Sequence, residues 1–314
     1  MPVDPTIQGI LDAVNARSFD ETAGLPPSER RIQMRQATEQ IFVELAETPG
    51  AVAAVTDHRV PVDGVEITVR VYTPQGVPPF PALVYFHGGA FWLGDVDLSD
   101  PPCRDLAHRT GSVVASVDYR LAPENPFPIP VEDCFAALAW TVAQSAELGV
   151  DVNRVAIGGS SAGGNLAAAV ALMARDRGGP AVCFQWLDIP VTDSRLDTPS
   201  MREFAEGYLL TKGAMLEGWA FYVPDLDDRA NPYASPMHAA DVSGLPPAFV
   251  TTAEYDPLRD EGEAYGARLA DAGVVTTIQR YDGMIHGFGL FTAILPTARE
   301  CRDDVVAALR SAFG

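Results

Sequence analysis

Five consecutive residues, Gly159-Ser160-Ser161-Ala162-Gly163, have the types and spacing of a nucleophile elbow, G-x-S-x-G. They lie between the apolar run Val155–Ile157 and a helical stretch of small residues. A chain that turns so sharply from strand to helix strains its central residue, and only small neighbours relieve the clashes. The central hydroxyl then stands clear of the sheet above a helix N-terminus, where the dipole favours developing negative charge. Ser160 is the rival nucleophile, but only Ser161 has glycine at both −2 and +2. The plainer alternative for the same residues is a small-residue turn feeding a close-packed helix.

A second segment, His87-Gly88-Gly89-Ala90-Phe91, follows the apolar run Leu83-Val84-Tyr85-Phe86. A glycine-rich loop at a strand end can turn backbone N–H groups toward an oxyanion, joined by the N–H after the nucleophile, here Ala162. Each such donor is worth about 3 kcal/mol of barrier. A phosphate cradle fails on chemistry, because no lysine or arginine follows as in a P-loop and G-x-G-x-x-G is absent from the loop.

A hydroxyl nucleophile needs a base, and the base needs a carboxylate to orient it. Of the five histidines, His58 belongs to a hairpin region, His87 to the glycine loop, His108 to a helical stretch and His238 to a proline-flanked loop. His286, in Gly283-Met284-Ile285-His286-Gly287-Phe288, follows the last expected strand, where a doubly wound sheet delivers residues to its carboxyl ends. Asp256, in Glu254-Tyr255-Asp256-Pro257-Leu258, stands after the preceding strand; Glu254 and Asp260 compete with it, and a helix N-cap is its plainer role. The order Ser161, Asp256, His286 is the one an α/β-hydrolase uses.

The elements that must position these residues are legible in the hydrophobic pattern. Ile7, Ile10 and Leu11 recur at helical spacing after Asp4-Pro5, and a second helical pattern follows Ser28. Two β-like runs joined by Asp63-Gly64 predict a hairpin. Strands are expected at 82–86, 113–117, 155–157, 182–187, 249–252 and 275–279, with helices over 131–148, 162–176, 260–272 and 297–312. Near-continuous apolar runs separated by helices predict a mostly parallel sheet covered on both faces. A helix-like insertion rich in aromatics spans about 198 to 233.

Composition limits what such a site serves. The 314 residues carry 22 basic and 42 acidic side chains, a net charge of −20, and Lys212 is the only lysine. A polyanion is repelled by nucleic acid and by anionic membrane surfaces, so neither is an expected partner. Cys103, Cys134, Cys183 and Cys301 are far apart, without zinc spacing, and read as reduced thiols. No basic segment preceding an apolar stretch marks the N-terminus, and no run reaches membrane-spanning length. A cytoplasmic protein without stable membrane association is expected.

With these residues together, the chain resembles the hormone-sensitive-lipase-like (bacterial family IV) carboxylesterases of the α/β-hydrolase fold. The resemblance runs from about residue 80 to 290, through His87 to Phe91, Asp118-Tyr119-Arg120-Leu121-Ala122-Pro123-Glu124, Gly159 to Asn165, Asp256-Pro257-Leu258 and His286-Gly287-Phe288. It implies Ser161, Asp256 and His286 as a triad, with Gly88, Gly89 and Ala162 as oxyanion donors. It also implies a helical cap from residues 1–48 and an insertion at 198–232, with the core in 49–197 and 233–314. Ala90 stands in place of a third glycine, which matters only if the loop needs positive φ there. Ser160 and Asn125 also depart from the commoner pattern.

The expected reaction is hydrolysis of short- to medium-chain esters through an acyl-enzyme, with no metal or organic cofactor. Trp92, Ser160, Phe204, Tyr208, Leu209 and Phe288 are pocket candidates, although aromatics are by default packing residues. Amide hydrolysis on the same triad and a non-catalytic ligand-binding member of the fold are the rival expectations. A homodimer through residues 275–312 is implied by the resemblance alone.

Overall fold

The structure is a computed structural model and describes residues 1–15 and 24–314. Among these, eight strands form one sheet in the order β1-β2-β4-β3-β5-β6-β7-β8. β1 (Ala54–Val62) and β2 (Val65–Thr73) make the expected antiparallel hairpin, closed by the pair Val62↔Val65. Asp63 (φ 43°) and Gly64 (φ 81°) are both left-handed, as a tight two-residue turn between twisted strands demands. β2 runs antiparallel to β4 (Val113–Asp118). From there β3 (Phe80–Phe86), β5 (Val150–Ser160), β6 (Phe184–Asp188), β7 (Ala248–Tyr255) and β8 (Thr276–Ile285) complete a parallel sheet.

Helices cover both faces. α4 (Ile129–Ala143), its short continuation α5 (Ser145–Leu148), α6 (Ala162–Asp176) and α9 (Arg259–Asp271) lie on one side; α3 (Asp100–Thr110) and α10 (Pro296–Phe313) lie on the other. The alternation within β3 shows why its run is continuously apolar. Ala82, Val84 and Phe86 enter the first core, whereas Leu83 and Tyr85 enter the second. α6 is buried from Ala162 through Ala174, so its small side chains let it lie close against the sheet.

The other helices among the described residues are α1 (Pro5–Asn15), α2 (Pro27–Leu45), α7 (Pro199–Glu203) and α8 (Lys212–Tyr222), the last two placing Met201, Met215, Trp219 and Tyr222 in the first core. Asp4 caps α1 by accepting the Thr6 amide at 2.7 Å. Ile7 and Leu11 then bury against Ile189, Ile285 and Phe288. α2 is fastened by arginines. Arg30 makes a two-pronged pair with Glu217 of α8 (2.5 and 2.9 Å), Arg31 reaches the carbonyls of Trp92 and Ala122, and Arg35 pairs with Asp95 and Asp97.

The boundaries differ from expectation where hydrophobicity does not mark the strand. β5 begins five residues before Val155, because 151–154, polar except for Val152, are partly or fully exposed and form no apolar run. β8 continues past 279 to Ile285, held by its pairing with β7, although Asp282 and Gly283 interrupt the apolar pattern between buried Tyr281 and Met284. All four cysteines are free. No helix among the described residues is long and apolar enough to cross a membrane.

Candidate active site

Ser161 occupies the single step between β5 and α6, at φ 59° and ψ −116°. A non-glycine residue in that region carries strain of about 1–3 kcal/mol, which surrounding contacts must impose. Here both of its backbone groups are gripped. Its N–H donates to the Asp188 carbonyl at 2.8 Å, and its carbonyl accepts from Val191 at 3.2 Å and Asn165 at 3.1 Å. The flanking glycines are required by contact. A Cβ on Gly159 would stand 2.4 Å from the Phe86 carbonyl oxygen, and one on Gly163 would stand 1.9 Å from the same atom.

His286 follows β8 and Asp256 follows β7, whose register pairs Tyr255 with Ile285 and so sets the two next residues side by side. His286 Nε2 lies 3.0 Å from Ser161 Oγ, and His286 Nδ1 lies 2.7 Å from Asp256 Oδ2. Asp256 is completely buried, and its other oxygen accepts the Leu258 amide at 2.8 Å. An ionised carboxylate only accepts, so Nδ1 carries the imidazole proton and Nε2 is left to accept from the serine hydroxyl. Asp256 is not the helix N-cap weighed as its plainer role: α9 starts at Arg259 with Leu258 at its N-cap and no side-chain cap bond, and Asp256 instead closes the turn before it through the Leu258 amide.

Among the described residues, Asp256 is the carboxylate that meets His286. Glu254 accepts the Gly283 amide at 2.7 Å, and Asp260 accepts the Ser200 amide at 2.8 Å while pairing with Arg259. Asp193 is held by Arg195 and by His238 Nε2 at 3.2 Å. The remaining histidines are placed elsewhere. His58 packs on Trp140, and His108 Nδ1 donates to the Ala51 carbonyl.

His87 holds the glycine loop. Its Nδ1 donates to the Gly88 carbonyl at 2.8 Å, its ring stacks on Tyr119 at 4.2 Å, and the Tyr119 hydroxyl donates to the His87 carbonyl at 2.8 Å. Burial lowers the His87 pKa to about 4, so the ring is neutral. Gly88 lies against the elbow: a Cβ there would meet the Ser160 carbonyl oxygen at 2.9 Å and Ser161 Cβ at 3.5 Å. Gly89 (φ 124°) has no room for a side chain, with the Leu93 oxygen 2.2 Å from a built Cβ. Ala162, first in α6, has the amide that a helix N-terminus leaves without an intrahelical acceptor.

Ala90 does adopt positive φ, 51°, followed by Phe91 at 70°. An alanine there costs about 1–2 kcal/mol, which the packing of the loop offsets. Phe91 stacks face to face on Tyr222 of α8 at 3.9 Å, and Gly218 of α8 brings that helix against Ala90 with no space for a Cβ.

The pocket candidates separate into two groups. Phe204 and Tyr208 meet Tyr255, the neighbour of Asp256, in a cluster with centroid separations of 5.2–5.4 Å, and Ser160 adjoins Ser161. Trp92 lies beneath Arg30 and edge-on to Phe221, Phe288 is buried against Tyr281, and Leu209 is exposed at the surface. Sequence reasoning missed Tyr255 and Asp188; their only signal was adjacency to Asp256 and to a strand end. Among the described residues, no cluster of histidine, cysteine or carboxylate side chains is arranged to hold a metal ion.

The alpha/beta hydrolase fold family profile matches residues 83–290. The chain is 39% identical to the carboxylesterase NlhH of Mycobacterium tuberculosis, over 99% of this chain and 96% of that one. It is 38% identical to an arylesterase of Saccharolobus solfataricus, over 92% of each. A solved esterase structure from Pyrobaculum calidifontis superimposes with a TM-score of 0.91 at 42% identity, covering 99% of both chains.

Proposed function

Because the chain belongs to the hormone-sensitive-lipase-like carboxylesterases of the α/β-hydrolase fold and is a carboxylic ester hydrolase, we propose that Ser161, His286 and Asp256 are its catalytic triad. The observation that carries this reading is the continuous hydrogen-bonded line from Ser161 Oγ through both ring nitrogens of His286 to Asp256.

In the first half-reaction His286 Nε2 takes the Ser161 proton as Oγ attacks the ester carbonyl. Asp256 holds the tautomer and stabilises the imidazolium. The amides of Gly88, Gly89 and Ala162 receive the oxyanion, preorganised by the strained elbow and by the His87 bond. His286 then protonates the leaving alcohol, and water repeats the sequence on the acyl-Ser161.

Residues 1–48 and 198–232 serve as the cap over the core formed by 49–197 and 233–314. This is supported by the Arg30–Glu217 pair joining α2 to α8 and by the seat of α8 on the glycine loop. The substrates are short- to medium-chain esters, with Phe204 and Tyr208 as pocket walls. Among the described residues of the proposed cap, Met1, Ile32, Leu209, Leu216 and Leu226 are exposed apolar side chains. The setting is cytoplasmic, where the four free thiols remain reduced.

A p-nitrophenyl ester series from acetate to palmitate, run beside the corresponding anilides, tests the reading. Turnover should peak among the shorter esters, anilides should be poor, and Ser161→Ala should be inactive. Equal turnover by Ser161→Ala and wild type would remove the nucleophile assignment.

A further inference from the structure

The segment leaving β6, residues 188–191, braces the strained serine from two sides. The Asp188 carbonyl accepts the Ser161 N–H at 2.8 Å, and the Val191 N–H donates to the Ser161 carbonyl at 3.2 Å. Between them Ile189 is itself left-handed, at φ 40°, a conformation β-branched residues take only where their surroundings over-determine it. Its N–H donates to the Thr251 carbonyl at 2.9 Å, and its side chain is buried. The brace therefore depends on what fixes its first residue.

The Asp188 side chain does this. In register it lies between Ser160 of β5 and Thr251 of β7, and its Oδ1 accepts the Thr251 hydroxyl proton at 2.5 Å. Burial raises its pKa, while Thr251, Ser160, Arg302 of α10 and His286 all favour the ionised form. Tyr85 of β3 and Cys301 of α10 also face it electrostatically. Arg302 is largely buried, and its Nη1 has no hydrogen-bond partner among the described residues. Arg302 Nε lies 4.0 Å from Asp105, and the Asp188 carboxylate adds a second negative charge acting on Arg302 and on His286.

We propose that Asp188 is a positioning residue for acyl transfer: anchored on Thr251 beside Ser160, its carboxylate fixes the 188–191 brace on Ser161 and stabilises His286 while His286 carries the proton. Asp256 aligns the imidazole by direct contact; Asp188 acts through the brace and through charge.

This inference rests on the triad reading above. Its test is the pH dependence of kcat/KM, with kcat and KM measured separately, for Asp188→Asn, Thr251→Val and Thr251→Ser. Asp188→Asn is expected to lower kcat about tenfold with KM within about twofold, and to move the acid limb about half a pH unit lower. Thr251→Val should lower kcat about threefold, and Thr251→Ser, which restores the hydroxyl, should recover it.

A profile for Asp188→Asn that superimposes on the wild type overturns the proposal. A raised KM with unchanged kcat also overturns it, because Asp188 would then be contacting substrate. If Asp188→Asn does not fold, unchanged kcat in Thr251→Val is the overturning result. Activity surviving in Ser161→Ala sinks the triad reading itself; an inactive Ser161→Ala beside a wild-type-like Asp188→Asn sinks only this inference.

Discussion

Replacing Asp256 by asparagine separates its two bonds, and the outcome can be worked out from the geometry. The carboxylate accepts twice, from His286 Nδ1 at 2.7 Å and from the Leu258 amide at 2.8 Å. Asparagine has one carbonyl oxygen, so it can serve only one of these donors. If the oxygen turns to Leu258, the NH2 group faces Nδ1 and selects the tautomer with its proton on Nε2, which cannot accept from Ser161. If the oxygen turns to His286, the Leu258 amide loses its buried acceptor, at a cost of about 1–3 kcal/mol, and the imidazolium loses its counter-charge. The first arrangement keeps the turn intact and is expected to dominate. A wrong tautomer lowers kcat by about 10⁴ in enzymes of this mechanism, or about 5.5 kcal/mol of barrier. The assay is p-nitrophenyl butyrate turnover with a parallel melting scan. We expect kcat to fall by about 10³–10⁴, KM to stay within about threefold, and Tm to change by only a few degrees. Asp193→Asn, made beside it, should retain kcat within about threefold because Asp193 is engaged by Arg195 and His238. Asp256→Asn within tenfold of wild type, or Asp193→Asn falling as far, would refute the reasoning.

Two further outcomes follow from contacts around the same site. His87 is buried neutral with its pKa lowered to about 4, below the unfolded value of 6.5, so its contribution is complete above that value and is lost as pH falls toward 4. The loss is about 3 kcal/mol, and urea unfolding of His87→Asn between pH 7 and 4 should show a shallower decline than wild type; equal declines would contradict the assignment. Gly163→Ala places a Cβ 1.9 Å from the Phe86 carbonyl oxygen, so we expect destabilisation of at least about 2 kcal/mol and loss of activity, with a wild-type melting curve as the contrary result.

How much of this was legible before any coordinates depended on how local each cause is. The Asp63-Gly64 turn was readable because two left-handed residues in a two-residue hairpin restrict the choice to very few types. The glycines of the elbow and loop were readable for a related reason, since each is a position where nearby backbone, from another strand or, for Gly89, from Leu93 of the same loop, leaves no space for a Cβ. The start of β5 was not readable, because exposed and polar residues on a strand tip have no hydrophobic signature, and the end of β8 was hidden by Asp282 and Gly283, which break the run between Tyr281 and Met284. Ala90 was legible as a departure but not in its consequence, for only the backbone angle revealed that the loop bends left-handed there.

Residue types in chain order thus settled which chemistry the molecule is equipped for, along with the parallel core that carries it, because nucleophile, imidazole, carboxylate and glycine turns leave marks over a few neighbouring positions. What they could not settle is which of several carboxylates meets the imidazole, or that Asp188 stands behind the serine. Those relations come from strand register, Tyr255 against Ile285 and Ser160 against Asp188, and join residues about thirty positions apart. Register is chosen by the packing of the whole sheet against its helices, so no short window of the chain contains it.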